Sequence, residues 1–138
     1  MKIKYAKIAY RIMKKETKVW LDIAHEDYDN MHYMQKGKKL RGAVLFAQQA
    51  VEKIIKAYIA EHKNTPMRSH RIEKLVLEAG LNLDSIGNPD VAELSKAYEW
   101  VRYTDLAQSH FHKAEEVQKL IVMAEEIYVW MLKKFKNN

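Results

Sequence analysis

The chain has 138 residues and a mass of 16.3 kDa, a length that fits one domain and buries about two-thirds of its unfolded surface. Hydrophobic residues make up 48% and charged residues 30%, with only 4 Gly and 2 Pro, which excludes collagen-like, low-complexity and globally disordered chains. The absence of cysteine removes disulfide scaffolds, iron–sulfur clusters, thiolate zinc sites and cysteine nucleophiles together.

The net charge of +6 is concentrated at one end. Lys2, Lys4, Lys7, Arg11, Lys14 and Lys15 fall in the first fifteen residues without an acid, leaving 18 of the 24 basic residues against all 18 acidic ones. Residues 1–15 therefore read as a basic N-terminal arm and residues 16–138 as a neutral domain. Such an arm can steer polyanions, or it is a solvated leader with Tyr5, Ile8 and Ile12 packed on the body. No apolar run approaches the roughly 20 residues a membrane span needs. The lysines of MKIKYAKIAYRIMKK also interrupt any signal-peptide core, so a cytoplasmic location without a membrane partner is expected.

Long stretches rich in Ala, Leu, Glu, Lys and Met predict an all-α fold. A first helix is expected from Thr17, as N-cap, to Lys36, with Trp20, Ile23, Ala24, Asp27, Tyr28, Met31 and Met34 on one face and Gly37 ending it. A second runs from Leu40 to His62 with Ala43, Phe46, Ala47, Ala50, Val51, Ile54, Tyr58 and Ile59 as a wide apolar stripe. Pro66 closes the turn that follows, since proline lacks an amide donor and restricts its predecessor. A short helix is expected from Ser69 to Ala79, with Ile72, Leu75 and Val76 inward and Gly80 as its stop. The loop LNLDSIGNP leads to a fourth helix with Pro89 as first residue, carrying Val91, Leu94, Ala97, Tyr98 and Val101. The pattern loosens over RYTDLAQSHFHK. A last helix from Ala114 to Phe135 presents Val117, Leu120, Ile121, Ala124, Ile127, Tyr128, Met131 and Leu132. Four main helices, one short one and brief connections predict an up-and-down antiparallel bundle.

Short catalytic signatures are absent: no GxGxxG, P-loop, GxSxG, HExxH or EF-hand loop occurs, so no cofactor is expected. His110 and His112, two apart, would point to different faces of a helix and have no third ligand at a recognised spacing, so no metal site is assigned. On the second helix, Gln49, Glu52, Lys53 and Lys56 form a polar patch. It reads either as internal pairing, Glu52 with Lys56 at i,i+4, or as a groove for a phosphate, a base or a partner protein. His70 reads as a ring that caps or hydrogen-bonds a neighbouring helix.

The stretch GAVLFAQQAVEKIIKAYI, followed by SHRIEKL, resembles the HEPN domain, a nucleotide-binding family named for higher eukaryotes and prokaryotes. Its hallmark helix is matched by Ala43, Ala47, Gln48, Gln49, Ala50, Glu52, Lys53, Lys56 and Ala57, with Phe46 one position out of register. Trp20, Ala24 and Asp27 resemble the family's opening helix, and with Ser69, His70, Leu75 and Arg102-Tyr103-Thr104-Asp105 the likeness spans residues 17–135. The resemblance implies a helical bundle, a homodimer, and action beside a minimal nucleotidyltransferase in a toxin–antitoxin-type system, with Gln49, Glu52, Lys53, Lys56 and Tyr103 binding nucleotide or partner. It also implies an alternative: a metal-independent endoribonuclease in which Arg102 steadies the scissile phosphate and His110 moves a proton, with Asp105 beside them. The chain departs from the ribonuclease pattern in carrying Tyr103 after the arginine and in placing seven residues between Arg102 and His110. The RYTD form resembles members linked to nucleotidyltransferases. Arg102 and Asp105 can equally form an i,i+3 ion pair that closes the fourth helix.

Overall fold

Apolar residues recurring at three-to-four spacing force this chain to bury helix faces against one another, and the computed structural model, which describes residues 10–102 and 114–136, does so throughout. Helix α1 spans Lys15–Lys36, α2 Leu40–His62, α3 Ile72–Ala79, α4 Val91–Trp100 and α5 Ala114–Lys136, with one 3₁₀ turn at Asp84–Ile86. No strand occurs among the described residues. None of their helices is long and apolar enough to cross a membrane.

Paired contacts along the helices define the topology. Lys14 and Thr17 meet Ala60 and Glu61 at one end of the α1–α2 pair. At the other end, a Cβ on Gly42 would come within 3.0 Å of the Met34 sulfur, so glycine there lets the two helices close. The pair is therefore antiparallel. Arg41 reaches Val101, which sets α4 antiparallel to α2. Gln35 bonds Gln118 and Tyr28 stacks on Tyr128, so α5 runs antiparallel to α1. The result is the expected up-and-down bundle, with α3 as a short rung between α2 and α4.

The core is one cluster. All eight residues expected inward on the last helix are buried, as are Ala43, Ala47, Ala50, Val51, Ile54 and Ile59 of α2, while Phe46 and Tyr58 are half-buried at its edge. The three small alanines let neighbouring helices approach closely. The Tyr28 and Tyr128 rings lie 4.0 Å apart and nearly parallel, an arrangement worth about 1 kcal/mol beyond burial.

Several boundaries differ from expectation, each for a local reason. Thr17 is not the N-cap of α1: the helix begins two residues earlier, and the buried Thr17 hydroxyl donates to Glu61 instead. Ile23 is partly exposed, because Leu21, Ala24, Tyr28 and Met31 form the inward stripe. Ile12 is 78% exposed, and Met13 takes the inward position; Tyr5 and Ile8 lie outside the described residues. The segment before α1 is tied to the body, since Tyr10 donates to Asp22 and Lys14 donates to the carbonyls of Ala60 and Lys63 that end α2. Helix α3 starts at Ile72 rather than Ser69, and its stop at Gly80 adopts a left-handed φ of 67° that glycine takes without strain. Pro89 precedes α4 rather than opening it, because Asp90 is the N-cap and accepts from the Glu93 amide.

Candidate functional site

Glu52 sits at the centre of α2 and is fully buried. An isolated buried carboxylate is costly, so its surroundings must compensate it. They do so with four donors. Oε1 accepts from Gln48 Nε2 at 3.0 Å and from His70 Nδ1 at 3.1 Å; Oε2 accepts from Lys53 Nζ at 2.8 Å and Lys56 Nζ at 3.2 Å. Burial pushes the Glu52 carboxyl upward, but the Lys53 bond and charge, the Gln48 bond and the Lys56 charge outweigh it and hold it below its ordinary value.

The network closes on itself at the helix surface. Gln49 donates to the Gln48 carbonyl at 2.7 Å and accepts from Lys53 at 2.8 Å, while Gln48 also donates to the His70 backbone carbonyl at 3.0 Å. Lys56 lies 5.3 Å from the Trp20 ring centre. The Glu52–Lys56 pair expected from i,i+4 spacing is present, and Lys53 joins it. Of the four residues expected as a polar patch, Glu52 and Lys56 are buried, and only Gln49 and Lys53 reach solvent in part. Across from them on α1, Asp27 is pushed up to about 6, chiefly by burial; Lys53 opposes this, and Glu26 and Glu52 add to it.

A chain of rings leads outward. The His70 ring, half-exposed and just ahead of α3, stacks on Tyr98 of α4 at 4.1 Å and 15°. The Arg102 guanidinium lies over the same Tyr98 ring at 4.0 Å. This contact holds the arginine by cation–π attraction at the end of α4. Beside it opens a cleft of about 650 Å³ lined by Arg41, Gly42, Leu45, Val101 and Arg102. Arg41, also exposed, donates one N–H to the Val101 carbonyl, which satisfies the terminus of α4 and favours a cation there. A guanidinium has five donors, and among the described residues both arginines keep most of theirs for a ligand.

The structure thus brings Gln49, Glu52, Lys53 and Lys56 together around His70 and sets Arg102 one ring away. Tyr103, Asp105 and His110 lie outside the described residues. Residues that sequence reasoning did not place at a site are Arg41, Gln48, His70 and Tyr98. Gln48 belongs to the hallmark helix, and His70, expected to cap or hydrogen-bond a neighbouring helix, bonds α2 through Glu52. Arg41 had no signal beyond its position at the start of a helix.

No curated protein and no solved structure matched. The model of the HEPN domain matches residues 17–135, which include the whole of the Glu52 network and the Arg41–Arg102 cleft. The match spans nearly all of the chain, which belongs to the HEPN domain family, and that membership supports a nucleotide-binding or ribonuclease-like module.

Proposed function

We propose that this HEPN domain binds a nucleotide or RNA through phosphate in the cleft between Arg41 and Arg102, and that the Glu52 network is the scaffold behind it. The observation that carries this reading is the pair of exposed guanidinium groups flanking one cleft. Arginine forks match phosphate oxygens bidentately, and each fixed pair adds direction to the attraction. Gln49 and Lys53 supply a second polar edge that a base or ribose can reach, with Tyr103 on the chain just past Arg102. The partner in this reading is a minimal nucleotidyltransferase, as the family resemblance implies, in a toxin–antitoxin-type pair, with the domain itself a homodimer. HEPN domains often dimerise and bind RNA.

The test is titration of a labelled single-stranded RNA and of ATP against the wild type and an Arg41→Ala/Arg102→Ala double variant at several salt concentrations. The double variant loses affinity and shows a shallower salt slope; equal affinity for both proteins would remove the cleft from consideration. Co-purification with a candidate nucleotidyltransferase, read by light scattering, checks the partner separately.

A second reading is a metal-independent endoribonuclease in which Arg102 stabilises the phosphate and His110 moves the proton. It is favoured by Tyr98, which holds the Arg102 guanidinium over its ring as a catalytic clamp requires.

A further inference from the structure

The Glu52–His70 contact has the layout of a carboxylate that orients an imidazole. Nδ1 lies 3.1 Å from a fully buried carboxylate oxygen, the ring plane is fixed by stacking on Tyr98, and the side chain is still 54% exposed. A carboxylate with four donors around it is ionised and can only accept, so Nδ1 carries the proton and the lone pair of the neutral ring is on Nε2. Among the described residues, Nε2 has no partner. The same Tyr98 ring holds Arg102. A proton acceptor and a phosphate clamp therefore lie against the two faces of one aromatic ring, and a phosphodiester spanning the ring edge can meet both.

We infer that His70, oriented by Glu52, is the general base for cleavage of an RNA phosphodiester held by Arg102; this deepens the ribonuclease reading and rests on phosphate binding at the cleft. The ribose 2′-hydroxyl gives its proton to Nε2 as its oxygen bonds to the adjacent phosphorus. The bond from phosphorus to the 5′-oxygen breaks, and the leaving oxygen takes a proton from water. The imidazolium returns its proton to the hydroxide so formed, and the products are a 2′,3′-cyclic phosphate and a 5′-hydroxyl. Arg102 meets the charge that builds on the phosphate oxygens. The groups facing His70 are Glu52 from α2, itself held by Lys53 and Lys56, and Tyr98 from α4, with the Arg102 charge across the Tyr98 ring.

The decisive comparison uses the full chain in chelator on a mixed single-stranded RNA, with binding and cleavage followed in parallel. The variants are His70→Asn, His70→Ala, Arg102→Ala and His110→Ala. Asparagine keeps an N–H donor for Glu52 but cannot carry the proton, so it separates a chemical role from a packing one. The expected result is that His70→Asn binds RNA as the wild type does, melts within a few degrees of it, cleaves at least about 100-fold more slowly and loses the acidic limb of the pH–rate profile. Cleavage by His70→Asn at the wild-type rate overturns the inference. So does loss confined to His110→Ala, which would leave the ribonuclease reading standing with a different base. Arg102-dependent binding without any cleavage by the wild type overturns the inference and leaves phosphate binding intact. Absence of RNA binding by the wild type overturns both.

Discussion

Two polar regions of this bundle lie one aromatic ring apart and behave in opposite ways. Around Glu52 the donors turn inward: Gln48, Lys53, Lys56 and the His70 Nδ1–H all meet one buried carboxylate, and the rest of the His70 ring faces out. Around Arg102, two guanidinium groups face a cleft and are steadied by a ring and a backbone carbonyl, with most of their donors left over among the described residues. The difference separates scaffold from contact surface. A network built on one buried carboxylate fixes the relative positions of α2, α3 and α4, and an exposed pair of cations recognises what comes from outside.

Substitutions divide the two regions by what they change. The largest effect is expected from Glu52→Ala, which leaves Lys56 buried without its counter-charge and costs about 3–5 kcal/mol of stability, measured by denaturant unfolding. A cost below about 1 kcal/mol would mean that the network is looser than its geometry. Next comes Arg102→Ala. It lowers affinity for single-stranded RNA by about 10- to 100-fold, the value of one charge-assisted contact, while stability stays within about 0.5 kcal/mol because the side chain is exposed.

The pH dependence of stability sharpens the scaffold side further. Glu52 has a lowered folded pKa, so its contribution is present above its ordinary value of 4.5 and is lost as pH falls through the folded one. Asp27 has a raised folded pKa, about 6 against 3.8, so the folded state holds its proton more tightly and stability declines as pH rises between those values. These two groups together place their joint optimum below about pH 4.5, with stability declining from there to about pH 6. Asp27→Asn removes the upper decline and raises stability at neutral pH by about 1 kcal/mol, a figure reduced for solvent access at the half-buried carboxyl. Unchanged pH curves in that variant would show that Asp27 titrates normally. The smallest effect is expected from Gln49→Ala at the rim of the network, about 0.5 kcal/mol in a thermal melt.

Much of the fold was legible because helix faces repeat. The eight inward residues of α5 follow one period over the entire helix, and nothing else in that stretch competes with it. Boundaries were harder, since they depend on single contacts: Thr17 has the chemistry of a cap, yet Glu61 from another helix claims its hydroxyl. The site divides in the same manner. Glu52, Lys53, Lys56 and Gln49 share one helix and were visible through i,i+4 spacing. His70, Tyr98 and Arg41 come from three separate segments, and no local period records that folding gathers them near Glu52 and Arg102. Burial was equally hidden, because a Lys–Glu pair four residues apart looks the same on a solvated face as in a core.

In the proposed mode of binding, ligand phosphate meets Arg41 and Arg102 while the Glu52 network stays closed behind them. The most direct test is an NMR titration of the isotope-labelled protein with a short single-stranded RNA, following the arginine side-chain Nε–H signals together with the backbone. The Arg41 and Arg102 signals and the Val101 amide are expected to shift first and saturate together, with those of Gln48 and Glu52 little moved. Shifts that start at Gln49, Lys53 and Glu52 and spare both arginines would contradict it.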